Sequence, residues 1–179
     1  MNEAEYEQLV QAAYDDRILV GIDRAFARRL YTNVATSEIE EATGEAPYLG
    51  KLVVWFAFLS SPIAMLGSSV LAAYAFRWWS LLIIPVTLLW WVFNRSRSVR
   101  GGASMWLHTL LVIVAVSAHF MDLFSNVSIS GFVTAFVFAL WCDRFLYWSS
   151  AFFLRAFVLR NQRAFEEFRD DIIIRTVEE

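Results

Sequence analysis

Lysine is nearly missing from this chain: Lys51 is the only one among 15 cations. With a net charge of −3 and acid-rich flanks, that leaves no basic surface of the kind nucleic acid demands, and the arginine excess is read as coding bias rather than a phosphate-binding device. Cysteine is as scarce. The single Cys142 cannot form an internal disulfide, and its apolar surroundings carry no information about redox compartment. Two histidines and three prolines complete the rare residues. Charge is low overall, 18% of 179 residues, where a soluble domain carries about a quarter. No GxSxG elbow, glycine-rich phosphate loop, CxxC pair or metal-ligand spacing of His, Cys, Asp and Glu occurs. These absences argue against an enzyme, a disulfide scaffold, a disordered chain and a metalloprotein.

What is abundant is apolar surface. Hydrophobic residues make up 58% and aromatics 17%, with 16 Phe and 8 Trp, and the mean hydropathy is +0.48. Charges divide this material into runs: Leu52–Phe76 holds 25 uncharged residues, Trp78–Asn94 holds 17, Gly101–Met121 holds 21 and Leu123–Cys142 holds 20. A helix needs ~20 mostly apolar residues to cross the ~30 Å hydrocarbon core, and segments such as Leu81–Phe93 and Leu110–Val116 lack the polar stripe of a soluble helix. The expectation is an all-α integral membrane protein of four transmembrane helices (about 52–76, 78–94, 103–122 and 129–152, within a bundle at 51–158), with a small helical cytoplasmic cap from both termini.

Orientation follows from the cations. Arg17, Arg24, Arg28, Arg29 and Lys51 precede the first span, Arg95, Arg97 and Arg100 separate the second from the third, and Arg155, Arg160, Arg163, Arg169 and Arg175 follow the fourth. Only Arg77 lies on the other side, a ratio of thirteen to one. Positive residues stay inside, so both termini are expected in the cytoplasm of a bacterial-type inner or plasma membrane. No cleavable signal is expected, since Met1–Val10 carries three Glu and no Lys or Arg. The fourth helix has no breaker between Gly131 and about Val158. It should run ~45 Å, past the hydrocarbon and into the cytoplasm.

Residues 1–50 read as cytoplasmic amphipathic helices. Tyr6, Leu9, Val10, Ala13 and Tyr14 keep one helical period, and Ile22, Phe26 and Leu30 another. Ser37 with Glu40 matches a capping box, and Gly44 followed by Pro47 ends that helix. Residues 159–179 repeat the theme through Phe165, Phe168 and Ile172. Both ends are expected to meet a cytoplasmic protein partner, each other or the bilayer surface.

Candidate functional residues are the ionisable groups inside the spans, which are expensive there. Asp143 and Arg144 lie in the inner half of span four and point ~100° apart, so each needs its own partner. His108 and His119 share one face of span three, 11 residues apart, with Asp122 on its edge and His108 level with Asp143. Together these form candidate pore or proton-path layers, since histidine titrates near neutrality; the alternative is that they glue the bundle by hydrogen bonds. Haem would need axial ligands on two facing helices, and only span three carries histidine, so no cofactor and no metal are expected. Pro62 and Pro85 should kink spans one and two, and Ser60, Ser61, Gly67 and Ser68 mark span one for close helix packing, within the chain or between copies.

The leading expectation is a non-enzymatic, homo-oligomeric membrane protein that forms or gates an ion- or proton-conducting path, with the cap for regulation or partner binding. A membrane anchor or scaffold subunit is the alternative, and a proton-coupled small transporter ranks third. A conductor needs Asp143 or the histidine face on a wet lumen, whereas a scaffold needs those groups dry and paired.

Overall fold

A computed structural model describes residues 2–95, 103–121, 123–124 and 126–176. In chain order the elements are α1 (Glu3–Tyr14), β1 (Ile18–Ile22), α2 (Arg24–Asn33), α3 (Thr36–Thr43), α4 (Tyr48–Phe76), α5 (Ser80–Asn94), α6 (Ala103–Phe120), α7 (Val127–Val158), α8 (Gln162–Glu167) and β2 (Ile172–Thr176). They form two compact units, one of residues 1–55 with 147–179 and one of residues 56–146.

The first unit is built from both chain ends. Asn2 opens α1 with a reciprocal cap: its Oδ1 accepts from the Glu5 amide at 2.8 Å, and Glu5 Oε2 accepts from the Asn2 amide at 3.1 Å. The β-branched stretches Ile18–Ile22 and Ile172–Thr176 pair antiparallel, with Ile18 opposite Thr176 and Ile22 opposite Ile172. Val20 packs there with Ala13 and Leu159, flanked by Leu9, Val10, Ile18 and Ile172. Two expectations change at this sheet. Ile22 does not share a helix with Phe26 and Leu30, because Asp23 caps α2 by accepting from the Phe26 amide at 2.7 Å. Ile172 likewise leaves the helical register of Phe165 and Phe168, because a 3₁₀ turn at Arg169–Asp171 intervenes. The unit is therefore helical with a two-stranded sheet, not all-α.

The cap of α3 also shifts. It begins at Thr36, with Glu38 reaching back to the Ala35 amide at 3.2 Å, so Ser37 and Glu40 lie inside the helix. Gly44 closes it in the left-handed region (φ 79°), which glycine adopts at no steric cost.

In the second unit the helical run 48–94 is broken at Arg77–Trp79, where Arg77 takes a left-handed φ of 46° and the Ser80 hydroxyl donates to the Arg77 carbonyl. The chain reverses there. Trp91 Nε1 donates to Ser61 Oγ at 3.0 Å, whereas 30 residues of straight helix would separate them by ~45 Å. Helix α7 runs against α4, with Ser61 near Ala139 and Asp143, Leu71 against Gly131, and the Phe76 and Phe132 rings 5.4 Å apart. It also runs against α6, through Trp141 Nε1 to Thr109 Oγ1 (3.1 Å), Thr134 Oγ1 to the Ala115 carbonyl (3.3 Å), and His119 with Ser130.

Two helical stretches, Tyr48–Asn94 and Val127–Val158, are long and apolar enough to cross a membrane. Taken separately, α5 (15 residues) and α6 (18 residues) are shorter than the ~20 usual for a span. Apolar side chains lie both inside and outside this unit: Ala57, Met65, Ala139 and Leu140 are among the buried ones. Its outer faces carry Phe56, Leu59, Ile63, Leu66 and Val70 on α4, Leu82, Val86 and Leu89 on α5, and Trp106, Leu110 and Ile113 on α6, all exposed. Its interior holds Ser61, Ser68, Asn94, Ser130, Asp143 and Arg144.

Candidate functional site

The site is the charged layer where α4, α5 and α7 meet. Ser61, one residue before Pro62 on α4, donates its hydroxyl to Asp143 Oδ1 at 2.9 Å and lies 3.2 Å from the Ala139 carbonyl oxygen. Trp91 donates to that same Ser61 oxygen, and Arg95 Nε donates to Asp143 Oδ1 at 2.9 Å. The Arg95 guanidinium lies 4.2 Å from the Trp91 ring centroid, which closes the set on itself. Arg95 ends α5, where the helix dipole favours a cation.

Exposure is lopsided within the pair: the Asp143 side chain is 2% exposed and that of Arg95 35%. Asp143 Oδ2 is buried and accepts no hydrogen bond among the described residues. Next along α7, Arg144 donates to Asn94 Oδ1 from Nε (3.2 Å) and Nη2 (2.9 Å), while Asn94 Nδ2 donates to the Leu140 carbonyl at 3.4 Å. Two adjacent residues at the end of α5 thus serve two adjacent residues of α7. Asp143, Arg144 and Asn94 are buried, Arg95 is partly exposed, and their hydrogen bonds link three helices.

His108 is half-buried on α6, and the partners of Asp143 among the described residues are Arg95 and Ser61 rather than His108. The expected contact between His108 and Asp143 is not formed. Helix α7 meets α6 through Ser130, Thr134 and Trp141, and Asp143, two residues past Trp141, is turned ~200° away. His119 Nδ1 and Ser130 Oγ share a hydrogen bond of 2.6 Å, so this histidine ties α6 to α7. Asp122 lies outside the described residues, as do the loop cations Arg97 and Arg100.

The small-residue stripe of α4 is split by the fold. Ser61 and Ser68 are fully buried, with Ser68 donating to the Met65 carbonyl at 2.9 Å. Ser60 is half-buried, but Gly67 is exposed and a Cβ there would meet open space, so Gly67 makes no close helix contact among the described residues. The close approaches occur instead at Gly131, against Leu71, and in the first unit at Gly50, where a Cβ would stand 2.9 Å from Phe153 Cβ. Pro62 is half-buried and Pro85 exposed, each inside a continuous helix.

Sequence reading missed Asn94, Arg95 and Trp91 as partners. Arg95 counts there only as a loop cation. Yet on the topology expected from the cations, span two ends on the side where span four nears its own end, which sets Arg95 level with Asp143, and a buried carboxylate favours a cation beside it. Among the described residues no three His, Cys, Asp or Glu side chains gather as a metal site. No family model, no curated protein and no solved structure matches this chain.

Proposed function

We propose that the chain is an integral membrane protein crossing the bilayer four times, with both termini cytoplasmic, and that it serves without catalysis as an anchor or scaffold. Its first unit is the surface offered to a cytoplasmic partner. The observation that carries the choice of anchor over conductor is the state of Asp143. This carboxylate is 1% exposed and bonded to Arg95 and Ser61, which is how a charge that fixes helix packing is held. A conducted ion or proton needs a wet carboxylate instead. Support for the four spans comes from the exposed apolar faces of α4, α5 and α6, and support for the orientation from the thirteen-to-one cation ratio. A homo-oligomer belongs to the same reading. The exposed Gly67 lets the backbone of a second copy come close to α4.

Flux measurement separates this reading from the conducting path. Purified protein reconstituted into vesicles with a pH gradient is expected to leak protons no faster than empty vesicles. A leak that falls in Asp143→Asn at unchanged protein yield would reinstate the conducting path and reject the anchor.

A further inference from the structure

Tyr31 poses a question that the anchor role does not answer. Its side chain is fully buried in the first unit, yet its hydroxyl has no hydrogen-bond partner among the described residues. Burial pushes the phenol well above its usual pKa, so it stays a neutral donor. Buried polar groups are rarely left this way, and each one calls for an explanation.

Tyr31 lines a cavity of about 320 Å³, and so does Gly50, at which a Cβ would stand 3.0 Å from the Tyr31 oxygen. Only glycine there leaves the hydroxyl room. The cavity also holds one acid, Glu45, and one base, Arg160, which make no ion pair with each other. Apart from Tyr48 and Gly50, the rest of its wall is apolar, including Leu49, Phe152 and Phe153. A donor and a cation call for an anion, and a separate carboxylate calls for a cation, so the complementary ligand carries both charges. At the small end of ligand cavities, ~300–1,000 Å³, this one takes a polar headgroup and no long chain. Chains have somewhere else to go: Tyr48, Leu49 and Leu52 stand exposed along the start of α4, 66–69% in each case.

We propose that this cavity binds the headgroup of a phospholipid carrying a phosphate and a primary ammonium, the phosphate accepting from Tyr31 and Arg160 and the ammonium donating to Glu45. The assignment rests on the membrane reading above. It excludes a quaternary ammonium, which has no N–H for Glu45, and an uncharged glycerol headgroup, which leaves Glu45 without a cation.

Native mass spectrometry of the full chain, delipidated and then offered equal amounts of phosphatidylethanolamine, phosphatidylcholine and phosphatidylglycerol, tests this. Phosphatidylethanolamine is expected to be retained preferentially, its retention to fall roughly tenfold or more in Tyr31→Phe and in Arg160→Gln, the worth of one charge-assisted hydrogen bond to the phosphate, and its preference over the other two lipids to be lost in Glu45→Gln. Delipidated Tyr31→Phe should melt no lower than wild type, since it removes an unsatisfied hydroxyl, and only wild type should gain thermal stability from added phosphatidylethanolamine. Equal retention of the three lipids, undiminished retention in Tyr31→Phe, or an undiminished preference in Glu45→Gln would overturn the site. Equal stabilisation by soluble glycerophosphoethanolamine would overturn a lipid as its source. A chain released from membranes by alkaline carbonate would reject the membrane reading itself, whereas a chain that stays membrane-bound without lipid preference would reject only this site.

Discussion

Replacing Arg95 with methionine is expected to cost about 3–5 kcal/mol, and adding Asp143→Leu to the same chain to recover most of it. Asp143 is 1% exposed, and without Arg95 its remaining hydrogen bond among the described residues comes from Ser61, while Arg144, which attracts it through charge, makes hydrogen bonds to Asn94. A buried carboxylate losing its cation is worse off than a site where both charges are replaced by apolar groups of similar size. The reverse change should be milder. In Asp143→Leu alone, the Arg95 side chain, already 35% exposed, turns its guanidinium to the interface and keeps its contact with Trp91. The order of stability is thus wild type, then the double variant close to it, then Asp143→Leu, then Arg95→Met. Thermal melts of the detergent-solubilised protein read this order. Arg95→Met at wild-type stability, or a double variant no better than that single one, would show that the layer does not hold the helices together.

Leu66→Arg should also have a large effect, and its size depends on the solvent. Leu66 is 69% exposed in the middle of α4. On a water-facing helix an arginine there is close to neutral, within about 0.5 kcal/mol. In hydrocarbon a central arginine costs about 2.5–3.5 kcal/mol on insertion scales, and more for a helix without a neighbour to shield it. The variant is therefore expected at several-fold lower abundance in the membrane fraction, while Glu41→Arg, on an exposed position of α3, should accumulate normally. Equal accumulation of both would mean that the outer face of α4 meets water.

The long apolar helices were legible because nothing competes with apolar run length as a signal. Helix α7 was expected to continue from Ser128 to about Val158, and the structure runs it from Val127 to Val158. What escaped was set by contacts distant in sequence. Ile18–Ile22 and Ile172–Thr176 pair although they lie at opposite ends of the chain, and neither strand carries a turn signal joining it to its mate. An i, i+4, i+8 spacing such as Ile22–Phe26–Leu30 also fits strand-then-helix when a cap like Asp23 falls between. Within the charged layer, Asp143 was identifiable because charge inside a span is costly. Its partner was not, because periodicity places a residue on a face of its own helix but does not say which helix that face meets.

The central claim is that the apolar outside of the bundle is solvated by lipid while its polar inside is dry. A nitroxide attached at Leu66→Cys, in a Cys142→Ala background so that a single thiol reacts, measures this directly once the protein is in bilayers. Collision with dissolved oxygen, which concentrates in hydrocarbon, is expected to be high, and collision with a water-soluble nickel chelate low, with the reverse for a label at Glu41→Cys. A label at Leu66→Cys that meets the nickel chelate as readily as the one at Glu41→Cys would place α4 in water and contradict the account.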